Sequence, residues 1–403
     1  MLKRNRTSRW WSSSCLLIVL ALLGIVTTAA AEGDVSSSVD LKFWGRAVFN
    51  MQYDTGLQRA RDFMSYLQDD KTESFSFNPR DTRFGFRGSS SQGNWIFSGV
   101  FEMDFYGANA GNSILPRMRL GYAEAKNSNG LSIRGGQDWI PVAQQNPGTI
   151  DFGVQSWSGN LWWRVPQFTL RYKPNKIEFL VSAMKHRVSN ETETQEKMPW
   201  VLGRVGFSDL LGEGSLIALG GGFRSESDLT FTQTNDSPPP DSFVSTADYS
   251  SYLVALELKF PFAKGWEIKG EVYTGEGVGP GFVHYGFDYN PWHPDGARSI
   301  QSQGGFVSLR IPAGEKIHFN AGFGMDDPKD EDLSFIDPND INIVKMGGPY
   351  LKNQTIFANM KYSVTKQFGW GLEVINFTTT MAEEGGTSDL TGQRFTGSWW
   401  YIF

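Results

Sequence analysis

Along residues 39–53 every odd position is apolar or small (Val39, Leu41, Phe43, Gly45, Ala47, Phe49, Met51, Tyr53), while the even positions include Asp40, Lys42, Arg46, Asn50 and Gln52. A period of two places these sets on opposite faces of a β-strand, one greasy and one wet. The same dyad returns in Trp95, Phe97, Gly99, Phe101, Met103 and Phe105, and in Tyr252, Val254, Leu256, Leu258 and Phe260. It returns again in Ile317, Phe319, Ala321, Phe323 and Met325, and in Phe395, Gly397, Trp399, Tyr401 and Phe403. No helical period competes over a comparable length. A soluble sandwich would keep its outer face polar, whereas here one face is aromatic and aliphatic on nearly every segment. Hydrocarbon makes each unpaired backbone N–H or C=O costly, so strands cross it only as a sheet closed on itself.

The connections sort into two kinds. Short turns fall near 89–93, 127–130, 174–176, 208–214, 261–265, 313–315 and 365–367. Longer segments alternate with them, near 54–72, 106–115, 140–160, 186–198, 224–250, 275–303, 326–350 and 379–391. This rhythm predicts an all-β fold, a transmembrane antiparallel β-barrel of about 16 strands with short turns at one rim and long loops at the other. Trp95, Tyr172, Trp266, Tyr362 and Tyr401 stand at strand ends, where a half-wet ring suits the two headgroup levels.

Residues 1–31 open with Lys3, Arg4, Arg6 and Arg9, continue through the apolar run 15–26 and close on Thr27, Thr28, Ala29, Ala30 and Ala31. These are the three parts of a secretory signal peptide, and the run is short for a membrane span. The expected organisation is a cleaved signal at 1–31, a short segment at 32–38 and a barrel domain at 39–403. Without the signal's four basic groups the chain carries 33 Lys plus Arg against 43 Asp plus Glu, a net charge of −10, which argues against a nucleic-acid partner. Its single cysteine, Cys15, leaves with the signal, so disulfides and thiol chemistry are excluded.

No G-x-S-x-G elbow or phosphate loop appears, and an enzyme is not expected. The histidines are His186, His284, His293 and His318. The stretch 284–295, HYGFDYNPWHPD, could hold a metal, but an aromatic outer loop is the better expectation. The acidic stretch 326–340, DDPKDEDLSFIDPND, lacks calcium-loop spacing and reads as a solvated outer loop. No metal or cofactor is expected.

Within this pattern NPRDTRFGFRG at 78–88 and RGGQDWIPV at 134–142 resemble the DcaP-like porins of the Gram-negative outer membrane. The resemblance implies a homotrimer set in outer-membrane lipid and lipopolysaccharide, exported across the inner membrane. It implies that Trp399, Tyr401 and Phe403 are read by the barrel-assembly machinery. It also implies that the third outer loop, 140–160, folds inward as a constriction; Gly148, Gly153 and Gly159 serve as bend points and Asp151 is its only charge. Small organic anions such as dicarboxylates are the solutes it suggests. The chain departs from relatives with a long N-terminal extension, since only 32–38 precede the first strand. Gly45, Ala47 and Gly99 are small outward residues suited to a trimer contact.

Sixteen strands leave room for an aqueous channel, where about eight would be filled by side chains. The wet parity of the early strands carries Lys42, Arg46, Arg83, Arg87, Arg117, Arg119, Arg134 and Arg171, a basic wall of the kind that favours anions. Glu102 and Asp104, on the strand between two arginine pairs, would neutralise part of it. Later strands turn Glu257, Lys259, Glu267, Lys269, Glu271 and Glu373 inward. Pro79 and Pro166 suggest bulges, so Arg80 and Arg164 stay unassigned. The expected function is a diffusion porin for small hydrophilic solutes with weak anion preference. An adhesin barrel without an open pore would use the same long loops and remains the alternative.

Overall fold

The computed structural model describes residues 39–403 apart from 108, 111–112, 188–197, 235–241, 284–286, 338 and 384. The expected signal at 1–31, the segment 32–38 and His284 lie outside the described residues.

Sixteen strands close into one antiparallel barrel. They are β1 (Asp40–Asp54), β2 in two pieces (Ser74–Asn78 and Arg83–Gln92), β3 (Trp95–Asp104), β4 (Arg117–Asn127), β5 (Leu131–Trp139), β6 (Arg164–Tyr172), β7 (Ile177–Met184) and β8 (Trp200–Ser208). There follow β9 (Leu216–Thr234), β10 (Ser242–Ala263), β11 (Trp266–Glu276), β12 (Gln301–Ala313), β13 (Ile317–Pro328), β14 (Lys352–Ser363), β15 (Phe368–Glu383) and β16 (Gly386–Ile402). Each strand pairs with its sequence neighbours, and β1 pairs with β16 from Arg46↔Ile402 to Asp54↔Arg394. Gly45 and Phe403 complete the seam, each donating its N–H to the other's carbonyl at 2.9 and 3.0 Å. The sheet has no free edge, as hydrocarbon requires. Among the described residues no helix is long and apolar enough to cross a membrane.

The dyad sorts the side chains. On β1, Phe43, Phe49 and Tyr53 are exposed on the outside, while Asn50, Gln52 and Asp54 are buried inside. Outward aromatics meet across strands: Phe49 stacks on Phe77 at 5.6 Å and approaches Trp399 at 6.3 Å, and Tyr53 stacks on Phe395 at 6.4 Å. Such cross-strand pairs are the unit that stabilises a sheet.

Several expectations need correction. The stretches 224–250 and 379–391, read as long loops, are largely strand: β9 and β10 stay paired to Thr234↔Ser242, and β15 and β16 to Glu383↔Gly386. Serine and threonine dominate there, a register shift between Glu226 and Leu229 resets the parity, and Leu229, Phe231 and Tyr249 pack with Tyr289, so the hydropathy alternation breaks while threonine-rich backbone keeps pairing. Pro79 does fall in a break, between the two pieces of β2. Pro166 does not: it faces Gln137 in unbroken register, and its carbonyl accepts from Lys185 N. Register shifts occur instead between Glu102 and Met103, where β4 carries Arg119 as an extra residue, between Glu226 and Leu229, and between Pro261 and Ala263. The acidic stretch 326–340 is not simply solvated, because Asp326 is buried and accepts from Tyr273, Tyr350 and Ser302. Gly45 cannot offer a flat patch to another subunit; its outer face is covered by the chain's own Phe403, whose ring lies 2.4 Å from where a Cβ would stand.

Apolar packing occurs inside the barrel. Ile140, Val142, Trp200, Leu202, Leu253, Phe282 and Tyr350 form one buried cluster where loops meet the inner wall, with Trp200 edge-on to Phe282 at 4.8 Å.

Candidate functional site

The third outer loop, 140–163, lies in the lumen, and most of its anchors are carboxylates on the later strands. Gln144 N donates to Glu257 at 3.1 Å, Ile150 N and Asp151 N to Glu373 at 2.6 and 2.7 Å, and Leu161 N to Glu271 at 2.6 Å. Hydrogen bonds to a charged acceptor are the stronger kind. Gly148 N donates to Ser308 Oγ at 3.0 Å, and Lys361 Nζ to the Thr149 carbonyl at 2.9 Å. Glu257, Glu271 and Glu373, expected among the inward charges of the later strands, are thus occupied in seating the loop. The glycines sit where backbone comes close: a Cβ on Gly148 would meet the Asn320 side chain, and one on Gly153 would meet Met64. Gly159 also has φ +92°, and a Cβ there would lie 2.3 Å from the Gly305 and Met325 carbonyl oxygens.

Asp151, the loop's single charge, is buried at the centre of this arrangement. Arg394 Nη1 donates to it at 2.9 Å while Arg394 grips Asp54 with Nε and Nη2 at 2.8 and 2.9 Å. Met64 N, Gly153 N and Gln52 Nε2 also donate to its carboxylate. Burial raises the Asp151 carboxyl above its ordinary range against the pull of Arg394 and the two backbone N–H groups.

The sequence reading missed the first outer loop, 55–73, which also enters the lumen. Met64 and Leu67 are buried against Phe357, Ile375 and Phe377. Leu67 N donates to Thr379 Oγ1, Asn353 Nδ2 to the Ser65 carbonyl, and Arg394 Nη2 to the Arg61 carbonyl. A signal was available: Phe357, Ile375 and Phe377 lie on the wet parity of β14 and β15, and an apolar patch facing a lumen must be covered by something.

The arginines of the early strands do face inward, each with a partner. Arg46 and Arg83 share Asp81, Arg117 and Arg119 share Asp104, and Arg119 also holds Glu102. Arg134 bridges Glu124 and Asp138, Arg87 donates to Ser98 Oγ at 3.1 Å, and Arg171 Nε lies 3.5 Å from Glu178. Lys42 is exposed beside Asp40. Arg80 pairs with Asp62, and Arg164 lies between the rings of Trp139 and Trp162 at 4.6 and 4.9 Å. The basic wall is therefore largely neutralised, Glu102 and Asp104 taking a central part.

A second basic group stands on the opposite wall. Lys259 faces Lys269 across β10 and β11, Arg310 faces Glu267, and His318 faces Lys361 across β13 and β14. Glu267 ion-pairs with both lysines, at 3.4 and 3.6 Å. Among the described residues Arg310 and Lys361 make no ion pair, so this girdle keeps excess positive charge.

Among the described residues no three His, Cys, Asp or Glu side chains gather as for a metal. In the stretch 284–295, Asp288 is committed to His186 at 2.6 Å, and His293 Nε2 lies 3.0 Å from the Glu331 carbonyl.

A closed sixteen-strand barrel with alternating turns and loops, whose third loop lies in the lumen, has the fold of an outer-membrane porin. Solved structures agree. The outer membrane channel DcaP of Acinetobacter baumannii matches with a TM-score of 0.73 at 16% identity, covering 92% of this chain and 99% of that one. Salmonella typhi OmpF, solved with daunomycin, matches with a TM-score of 0.57 at 12% identity over 91% and 98% of the two chains. OmpT, an outer membrane protein of Vibrio cholerae, gives 0.56 at 12% identity over 92% and 100%. No family model matches the sequence, and no curated protein sequence matches it.

Proposed function

We propose that this protein is a non-enzymatic outer-membrane porin, a water-filled channel through which small hydrophilic solutes diffuse with weak preference for small organic anions, dicarboxylates among them. One observation carries the reading. The inward loop is anchored along β10–β16 and β1, while on the β5–β6 side a cavity of ≈ 310 Å³ remains beside it. The anion preference rests on Arg310 and Lys361, the cations of the girdle without an ion pair among the described residues, rather than on the early arginines, because fixed unpaired cations set the potential in a pore. A cleaved signal at 1–31, a homotrimer, surrounding lipopolysaccharide and recognition of Trp399, Tyr401 and Phe403 by the barrel-assembly machinery belong to the same proposal; one OmpT structure is a trimer form. The test is the reversal potential of the purified protein in a planar bilayer under a potassium chloride gradient. Anion selectivity is expected, moving toward zero in R310Q/K361Q. A cation-selective wild type would refute the preference, and a barrel that conducts nothing would favour the adhesin.

A further inference from the structure

The outer wall of the barrel carries a polar groove that no solute in transit passes. Alternation turns Thr274 on β11, Gln303 on β12 and Asp327 on β13 outward, and they stand directly opposite one another in the pairs Thr274↔Gln303 and Gln303↔Asp327. Lys352 of β14 completes the row, with Nζ 3.3 Å from Asp327 Oδ1. Toward the middle of the sheet the same outward parity carries Val272, Val307, Phe323 and Ile356, all exposed. The row therefore lies at the loop-side border of the lipid-facing band, where a headgroup meets the wall. Residues 328–331 form the opposite side, tied to the sheet by Lys329 N donating to the Gln301 carbonyl at 2.9 Å. Between the row and this segment lies a cavity of ≈ 470 Å³.

Both signs of charge line the groove. Lys329 lies 3.0 Å from Glu331 as Lys352 lies 3.3 Å from Asp327. An ammonium has three N–H donors, so each lysine keeps two after its one pairing, and pairs open to solvent hold weakly. Asp330 makes no ion pair or hydrogen bond among the described residues, and neither do the side chains of Thr274, Gln301 and Gln303. Burial and the neighbouring Asp327 raise the Asp330 carboxyl while the Lys352 ammonium opposes them, so these three groups share one space.

We infer that this groove is a binding site for a zwitterionic lipid headgroup, phosphoethanolamine, with its phosphate on Lys329 and Lys352 and its ammonium on Asp330. The inference rests on the barrel's place in the outer membrane and not on conduction. Charge-assisted hydrogen bonds are the strong ones, and this headgroup makes one kind with each sign of charge in the groove. The acyl chains then lie along Val272, Val307, Phe323 and Ile356, directly below. A purely anionic headgroup would meet two lysines against three carboxylates, Asp327, Asp330 and Glu331. A choline headgroup has no N–H to give Asp330.

The experiment is native mass spectrometry of the purified barrel, released from detergent and titrated with phosphatidylethanolamine, phosphatidylcholine and phosphatidylglycerol of one chain length. Phosphatidylethanolamine is expected to bind about tenfold more tightly than either of the others, the equivalent of one hydrogen bond to a charged group. K352Q should weaken that binding about tenfold, and D330N should bring it level with phosphatidylglycerol. Lipid A with and without added phosphoethanolamine identifies the source, since whichever carrier binds more tightly, phospholipid or modified lipid A, is the occupant. Phosphatidylglycerol or phosphatidylcholine binding as tightly as phosphatidylethanolamine overturns the site, as does binding that either substitution leaves unchanged. An open channel that retains none of these lipids also overturns it and leaves the porin standing, whereas a barrel that binds as expected but does not conduct removes the porin and keeps the site.

Discussion

Arg394→Met is the sharpest perturbation of the inward loop. The guanidinium is fully buried and joins three elements: Asp54 at the barrel seam, Asp151 on the third loop and the Arg61 carbonyl on the first. Methionine keeps much of the volume but strands two carboxylates without their cation. Removing one partner of a buried ion pair costs about 3–5 kcal/mol. The seam keeps its backbone ladder from Arg46↔Ile402 to Asp54↔Arg394, so the cost falls on the seating of the loop rather than on the barrel. Asp151 would retain its backbone donors, and Glu257, Glu271 and Glu373 would still hold the flanks. A penalty of that size shifts the balance between seated and released loop by roughly 10²-fold to several 10³-fold. Single-channel recording should show R394M flickering into larger conductance levels while its heat-modifiable band stays that of the wild type. Adding Asp151→Asn, which removes one stranded charge, should quieten the trace; the coupling between the two changes is the measured quantity. A trace from R394M as quiet as the wild type, at the same conductance, would refute the role assigned to this contact.

Other outcomes follow from the same geometry. Gly159→Ala places a methyl 2.3 Å from two carbonyl oxygens at positive φ, so a cost of about 1–3 kcal/mol and added current noise are expected; an unaltered trace would mean that the turn gives way freely. Leu67→Ala, which empties a fully buried site against Phe357 and Phe377, should cost about 2–5 kcal/mol and expose the first loop to protease in intact outer membranes, with no change in cleavage counting against it. Phe403→Ala removes the ring over Gly45 and the terminal aromatic of β16. Less folded barrel should accumulate in cells, and normal accumulation would end the assembly-signal reading.

The sequence by itself determined the barrel. Alternation from Val39 to Tyr53 and in its later repeats fixes which face of each strand is greasy, and the turns and loops taking turns fixes strand number and direction, because both are local and periodic. Where serine and threonine dominate, as beyond Arg224 and Thr379, or a register shift resets the parity, as between Glu226 and Leu229, the periodic signal fails and strand reads as loop. Parity also placed Arg46, Arg83, Arg117, Arg119 and Arg134 on the inner face. It could not say that Asp81, Glu124 and Asp138 would take up their charge, since those contacts lie across strands and depend on side-chain reach. Tertiary structure alone decided that Glu257, Glu271 and Glu373 hold a loop instead of facing solute, that the first loop joins the third inside, and that unpaired positive charge sits at Arg310 and Lys361. The loop placements bring together residues 87 or more positions apart, and a dyad repeat carries no record of where a loop will land.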